Sequence, residues 1–164
     1  STLVKLLKES KDWTSINGGE IFREIAKKKE MTLKDFGKLC KQNPTIDRLL
    51  DDELIKRICE DSGPDIVESR LAGHWAKSKN IDCHRIWLNV NKEERAKRVS
   101  KREGTEWKEQ LLKNRDRETV DAKRFWDFYK IDIEDMNPYS IIIDSTNMTA
   151  DEALGYVLSR IEKK

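Results

Sequence analysis

The stretch "NPYSIIIDSTNMTADEALGYVLSRI" (residues 137–161) decides how the chain is built. Asn137 and Pro138 signal a turn. Tyr139, Ile141, Ile142 and Ile143 then form a short apolar run of the aromatic and β-branched types that fill buried strands. From residue 150 to 161 the apolar positions recur at helical spacing instead, so a strand hands over to an amphipathic helix. Working outward, the same order recurs three times. "WTSI" (13–16) ends at Asn17, Gly18 and Gly19 and leads into a helical pattern over 20–29. "DIVE" (65–68) follows the turn residues Ser62, Gly63 and Pro64 and leads into 71–78, and "HRIWLNV" (84–90) leads into 92–102. Strands that alternate with helices in this way predict an α/β protein with a parallel sheet. The stretch 32–60 has no strand signal and predicts two helices broken near Asn43 and Pro44, and a long helix is expected over 106–129 after a break at Gly104.

Composition narrows the class. A chain of 164 residues fits one domain, here 1–164, with room for a substantial core. Lys and Arg number 33 against 31 Asp and Glu, a near balance that argues against bulk attraction to nucleic acid or to an anionic membrane. Cys40, Cys59 and Cys83 are odd in number and widely spaced, and with His74 and His84 they form no metal-ligand pattern. No apolar run approaches the roughly 18 residues of a membrane span, and no signal-type apolar segment opens the chain. A reduced, cytoplasmic, monomeric protein is expected, with no membrane or nucleic-acid partner.

Parallel sheets bind ligands at the carboxyl ends of their strands. The residues that follow the four strands are Asn17 to Glu20, Ser69 and Arg70, Asn89 to Asn91, and Ser145 to Asn147. In "GGEIFRE" Gly18 and Gly19 allow backbone amides to approach an anion, with Arg23 one turn on as a bidentate clamp. Taken alone, these are equally a turn and a solvated charge. Arg70, leaving a core strand, favours an anion over a structural ion pair. Arg95, Arg98 and Arg102 in "RAKRVSKRE" read as weakly informative surface charge, the last two sharing a helix face. In "RDRETVDAKR" the spacing of four and three stacks Arg117, Asp121 and Arg124 on one face. That stripe suits a polyanionic substrate bearing a hydroxyl, or else an exposed ion-pair ladder. "STLVKLLKES" (1–10) opens with a helical pattern and no strand before it. Ser1 and Thr2 read either as an ordinary N-cap or as the tail of a phosphate-binding G-x-x-x-x-G-K-[ST] loop.

The ordered set "GGEIFREIAKKKEMTLKDFGKLCKQNPTIDRLLD", "VESRLAGHWAK", "IWLNVNKEERAKRVSKREG", "AKRFWDFYKIDIED" and "YSIIIDSTNMTADEAL" resembles the archaeal-type cytidylate kinases, within the P-loop nucleoside monophosphate kinases. The resemblance implies a three-layer P-loop kinase fold with strand order 2-3-1-4-5, acceptor-binding helices at about 20–60 and a short helical lid at about 103–116. It implies transfer of the ATP γ-phosphate to CMP, or to dCMP, with Mg²⁺. By the same resemblance Ser1 ligates Mg²⁺, Thr2 lies near the ATP α-phosphate, and Arg98 and Arg102 face the ATP side. Ser145 and Thr146 lie beside the adenine. Gly18, Gly19, Arg23 and Arg70 hold the acceptor phosphate, Arg117 and Arg124 close over the phosphates as catalytic residues, and Asp121 reaches the acceptor nucleoside.

The sequence departs from the family pattern in three places. The first strand and the glycines and lysine of the phosphate loop are not among the 164 residues, so the expectation is that an upstream segment is missing. Asn17 stands where a serine is common. Leu71 follows Arg70 where bacterial cytidylate kinases carry a base-reading aspartate, which leaves Asp47 and Asp51 as candidates for the cytosine amino group. A kinase for AMP or UMP, or a kinase-fold binding protein without catalysis, are the alternatives.

Overall fold

Asn17 decides where the first crossover helix begins. Its Oδ1 accepts from Glu20 N at 3.0 Å while Glu20 Oε2 accepts from Asn17 N at 2.9 Å, a reciprocal capping box. The computed structural model, which describes residues 1–162 apart from the side chains of Lys41 and Asp47, therefore starts this helix at Gly18. Gly18 and Gly19 lie in its first turn and not in a turn before it. In order, the described elements are α1 (Thr2–Lys11), β1 (Ser15–Asn17), α2 (Gly18–Lys28), α3 (Leu33–Gln42), α4 (Pro44–Cys59), β2 (Ile66–Glu68), α5 (Ala72–Ser78), β3 (Ile86–Asn89), α6 (Lys92–Glu103), α7 (Trp107–Tyr129), β4 (Ile141–Asp144) and α8 (Ala150–Ile161).

Two compact units divide the chain, Ser1–Cys83 and the part that begins at His84. In the first, β1 and β2 pair in parallel with Ser15 opposite Ile66 and Asn17 opposite Glu68. Thr14 and Asp65 lock the entry to this ladder. Asp65 Oδ2 accepts from both Thr14 N and Thr14 Oγ1 at 2.8 Å, and Asp65 N donates back to Thr14 Oγ1 at 3.2 Å. The buried apolar side chains include Ile16, Ile21, Phe36, Leu54 and Leu71, and Phe22 meets Phe36 with ring centroids 4.8 Å apart. Arg57 of α4 joins Glu24 of α2 and Glu53 of its own helix, each at 3.0 Å. Asn43 caps α4 and Pro44 occupies its first turn, which explains the break between α3 and α4.

In the second unit β3 and β4 pair in parallel, from Ile86 opposite Ile141 to Asn89 opposite Asp144. Ile143, Val157, Ala153, Ala96 and Phe125 are buried. Helices α6 and α7 form a hairpin turned at Gly104, which takes the left-handed conformation (φ 67°) that costs glycine little. Arg95 pairs with Glu118 across the hairpin, and Lys97 lies over the Trp107 ring at 5.3 Å. If β1 to β4 are numbered as strands 2 to 5 of the expected order, the ladders 2-3 and 4-5 are the two found. The strands are shorter than the apolar runs that announce them, because each ladder ends where its partner ends.

Candidate functional site

The carboxyl ends of β1 and β2 bring two helix starts to one rim. Asn17 lies opposite Glu68 in the ladder and caps α2. Ser1 caps α1 through Oγ, which accepts from Val4 N at 3.3 Å, and the Ser1 nitrogen donates to Glu68 Oε2 at 2.8 Å. Unpaired amides and the positive ends of two helix dipoles thus gather beside the strand ends, an arrangement that favours anions. Thr2 is exposed at the first position of α1. A Cβ built on Gly18 would meet nothing within 4 Å, whereas one on Gly19 would lie 3.1 Å from Asn17 Oδ1 and 3.5 Å from Arg23 Nη1. The Arg23 guanidinium therefore folds back over the first turn of α2, to the end at which the strands finish. Arg70 is half-buried two residues beyond β2, after Ser69, whose Oγ accepts from Leu71 N at 3.2 Å. Asp51 is half-buried on α4, and Asp47 is on the same helix with its side chain outside the described residues.

The rim of the β3–β4 ladder is a single bonded platform. Asp144 Oδ1 accepts from Thr146 N at 3.0 Å and from Thr146 Oγ1 at 2.6 Å, and these bonds hold the Asp144 carboxyl below its usual range. Asn91, the cap of α6, donates its backbone N–H to Thr146 Oγ1 at 3.0 Å. Ser145, 2% exposed, donates from N and from Oγ to Asn89 O at 2.9 and 3.3 Å. Arg98 reaches this platform from α6 and Arg102 turns to Glu103 at 2.9 Å. The structure thus brings Arg98, Ser145 and Thr146 together and leaves Arg102 mostly exposed beside its neighbour in sequence.

On α7 the expected stripe is present as a cluster around one carboxylate. Asp121, 16% exposed, has Oδ2 at 3.9 Å from Arg117 Nε and Oδ1 at 3.9 Å from Arg124 Nη2. Arg117 is 74% exposed, whereas Arg124 is 28% exposed and lies over the Phe125 ring at 4.7 Å. Sequence reasoning does not single out Glu68. Its one signal is its position as the last residue of a strand whose partner ends at the Asn17 cap.

The sequence matches the model of the cytidylate kinase-like family over residues 14–147. The chain belongs to the cytidylate kinase-like family. It is 33% identical to a protein named cytidylate kinase from Archaeoglobus fulgidus, over all of this chain and 89% of that one. A second relative with this name, from Methanosarcina mazei, is 41% identical over 88% of this chain and 80% of its own length. A crystal structure of a protein from Eubacterium ventriosum, described only as uncharacterized, has the same fold. It superposes with a TM-score of 0.72 at 18% identity, covering 99% of this chain and 90% of that one. Parallel ladders joined by helices are what the cytidylate kinase-like family implies, and the α/β fold agrees with the expected P-loop kinase fold. Among the described residues no helix is long and apolar enough to cross a membrane.

Proposed function

We propose that the protein is a nucleoside monophosphate kinase that transfers the γ-phosphoryl group of ATP to CMP. The observation that carries this reading is the α7 cluster, in which Arg117 and Arg124 share the carboxylate of Asp121. Relatives named cytidylate kinase support CMP as the acceptor in this reading. In the transfer an oxygen of the CMP phosphate attacks the γ-phosphorus. The bond from that phosphorus to the β,γ-bridging oxygen breaks, and ADP leaves with the electron pair. Such a transition state spreads negative charge over the transferred group and asks the protein for position and neutralisation more than for covalent help. No histidine or cysteine nucleophile is needed.

Each unit supports its part of this reading by itself. The first offers the amides of Gly18 and Gly19 with the Arg23 and Arg70 guanidiniums for the acceptor phosphate. It also offers the start of α1, with Ser1 and Thr2, for donor phosphates. The second offers the Ser145–Thr146 platform for the adenine, Arg102 for the donor side and Arg117 with Arg124 for the transferring group. Asp121 would orient both arginines and reach the acceptor nucleoside. Asp47 and Asp51 are the carboxylates suited to the cytosine amino group.

Mg²⁺ prefers oxygen ligands and is commonly held by one or two protein groups plus substrate phosphates. Ser1 Oγ, with Thr2 beside it in sequence, is an oxygen donor of this kind, and no group of three His, Cys, Asp or Glu forms a cage among the described residues. These residues fit a metal that arrives with its nucleotide. When bound, Mg²⁺ would neutralise charge on the β- and γ-phosphates.

The test is ADP formation by the protein as its gene encodes it, with CMP, dCMP, UMP and AMP as acceptors. CMP is expected to give the highest kcat/KM. Arg23→Ala and Arg70→Ala should raise the KM for CMP roughly 10- to 100-fold with little change for ATP, since a charged hydrogen bond of about 1.5–3 kcal/mol is lost. No ADP formation with any monophosphate would overturn the proposal. Equal effects on both substrates would remove Arg23 and Arg70 from the acceptor site.

A further inference from the structure

Residues 145–148 form a four-residue turn, closed by Met148 N donating to Ser145 O at 3.2 Å, with Thr146 and Asn147 at its centre. The side chains of Ser145 and Thr146 tie the turn to β3, β4 and the start of α6, and three of its carbonyls converge on one nitrogen. Arg98 Nη2 donates to Ser145 O at 2.9 Å, to Thr146 O at 3.1 Å and to Met148 O at 3.3 Å. Glu94, one turn earlier on α6, fixes the same guanidinium by accepting from Arg98 Nε at 2.8 Å. Carbonyl oxygens that point at a common centre repel one another, and a cation at that centre removes the repulsion. A planar, permanently charged guanidinium with donors in a rigid fork suits this position better than a flexible ammonium. Asn147 lies exposed between the bonded carbonyls of Thr146 and Met148.

We propose that Arg98 is a positioning residue for the donor nucleotide, acting by holding the Ser145–Met148 turn in shape and not by gripping the triphosphate. This rests on the kinase reading given above and assigns Arg98 a mode of action within it. With the turn held, its outer edge presents backbone polar groups to a base in a fixed arrangement. Without Arg98 the three carbonyls have no common partner, and the turn loses the strut from α6.

The experiment titrates ATP and inorganic tripolyphosphate separately into the wild-type protein, Arg98→Ala and Arg98→Lys by calorimetry, and follows amide hydrogen exchange at Met148. Arg98→Ala should weaken ATP roughly tenfold or more, leave tripolyphosphate binding unchanged and speed exchange at Met148. Arg98→Lys should restore only part of the ATP affinity, because an ammonium cannot engage Glu94 and the carbonyls in the same geometry. Equal loss for ATP and tripolyphosphate would assign Arg98 to the phosphates and overturn the proposal. Unchanged ATP affinity, or unchanged exchange at Met148, would overturn it as well. A wild-type protein that binds ATP and forms no ADP with any monophosphate would sink the kinase reading while leaving the role of Arg98 decided by these titrations.

Discussion

Asp121 stands between two arginines of very different exposure, and variants at the three positions separate a working cluster from a surface ladder. Arg117 is open to solvent, whereas Arg124 lies over the Phe125 ring. If both stabilise charge that develops during transfer, Arg117→Ala and Arg124→Ala should each lower kcat by about 10²–10³ with nearly unchanged ATP affinity. The double variant should lose less than the product of the two, because both serve one state. Asp121→Asn should raise the KM for CMP and lower kcat as well, since the carboxylate that orients both guanidiniums is lost. Steady-state kinetics with varied CMP and varied ATP reads all four variants. An exposed ladder predicts normal turnover and stability changes of only about 0.5 kcal/mol per pair. The stripe is legible in the sequence because helical period fixes which residues are neighbours. Arg98 and Arg102 share a helix face in the sequence, yet one meets carbonyls 47 to 50 residues downstream and the other pairs with the next residue. No spacing rule separates these two fates.

Elements were easiest to read where their ends are chemically marked. Thr149 and Glu152 form a capping box at the start of α8, and the observed Ala150–Ile161 follows the apolar periodicity to both ends. Strand ends carry no such mark. "HRIWLNV" spans seven residues, but the ladder register covers only Ile86–Asn89, opposite Ile141–Asp144. The turn from α4 into β2 shows how tightly one position can be constrained. A Cβ on Gly63 would lie 2.6 Å from Arg57 O and 2.9 Å from Glu60 O, both backbone atoms that cannot step aside cheaply. Gly63→Ala is therefore expected to destabilise the protein by about 1–3 kcal/mol in urea unfolding. Gly18→Ala is the matched control, since a Cβ there meets nothing within 4 Å and the position is helical. It should be neutral, or stabilise by up to about 1 kcal/mol. Equal losses at the two positions would contradict the steric argument.

For the molecule as a whole, three threonine–carboxylate pairs make stability depend on acid. Asp65, Asp144 and Glu152 are held below the ordinary carboxylate range by hydrogen bonds from Thr14, Thr146 and Thr149. Their folded values lie below the unfolded ones near 4, so the stabilisation is complete above about pH 5 and drains as pH falls through the folded values. Thermal unfolding should show Tm falling between about pH 5 and pH 3, less steeply in Asp144→Asn. Tyr139 has the opposite sign. Burial, with Asp135 adding to it, pushes its hydroxyl up to about 12. Its contribution is full below the unfolded value of about 10 and is lost between about pH 10 and pH 12, a loss Tyr139→Phe should not share. A Tm that is flat across the acid window would contradict the carboxylate assignments. At this scale the alternation of strand and helix was legible in the sequence, and the choice of acceptor base was not. Base choice depends on where polar side chains stand relative to a ligand, and no periodicity encodes whether candidates such as Asp47 and Asp51 stand there.

The two ladders also set the order in which the chain can acquire its structure. Thr14 meets Asp65 across 51 residues and Arg85 meets Ser140 across 55, with three helices enclosed in the first interval and two in the second. Closing a long loop has an entropic cost before any ladder bond forms, whereas each enclosed helix needs only its own neighbours. Helices that form early shorten the effective distance each strand must search, so capping residues such as Asn43 and Thr149 act on the speed of folding as well as on its endpoint. The ladder that presents the Asn17 rim and the ladder that presents the Asp144 rim are then among the last parts of the protein to be born.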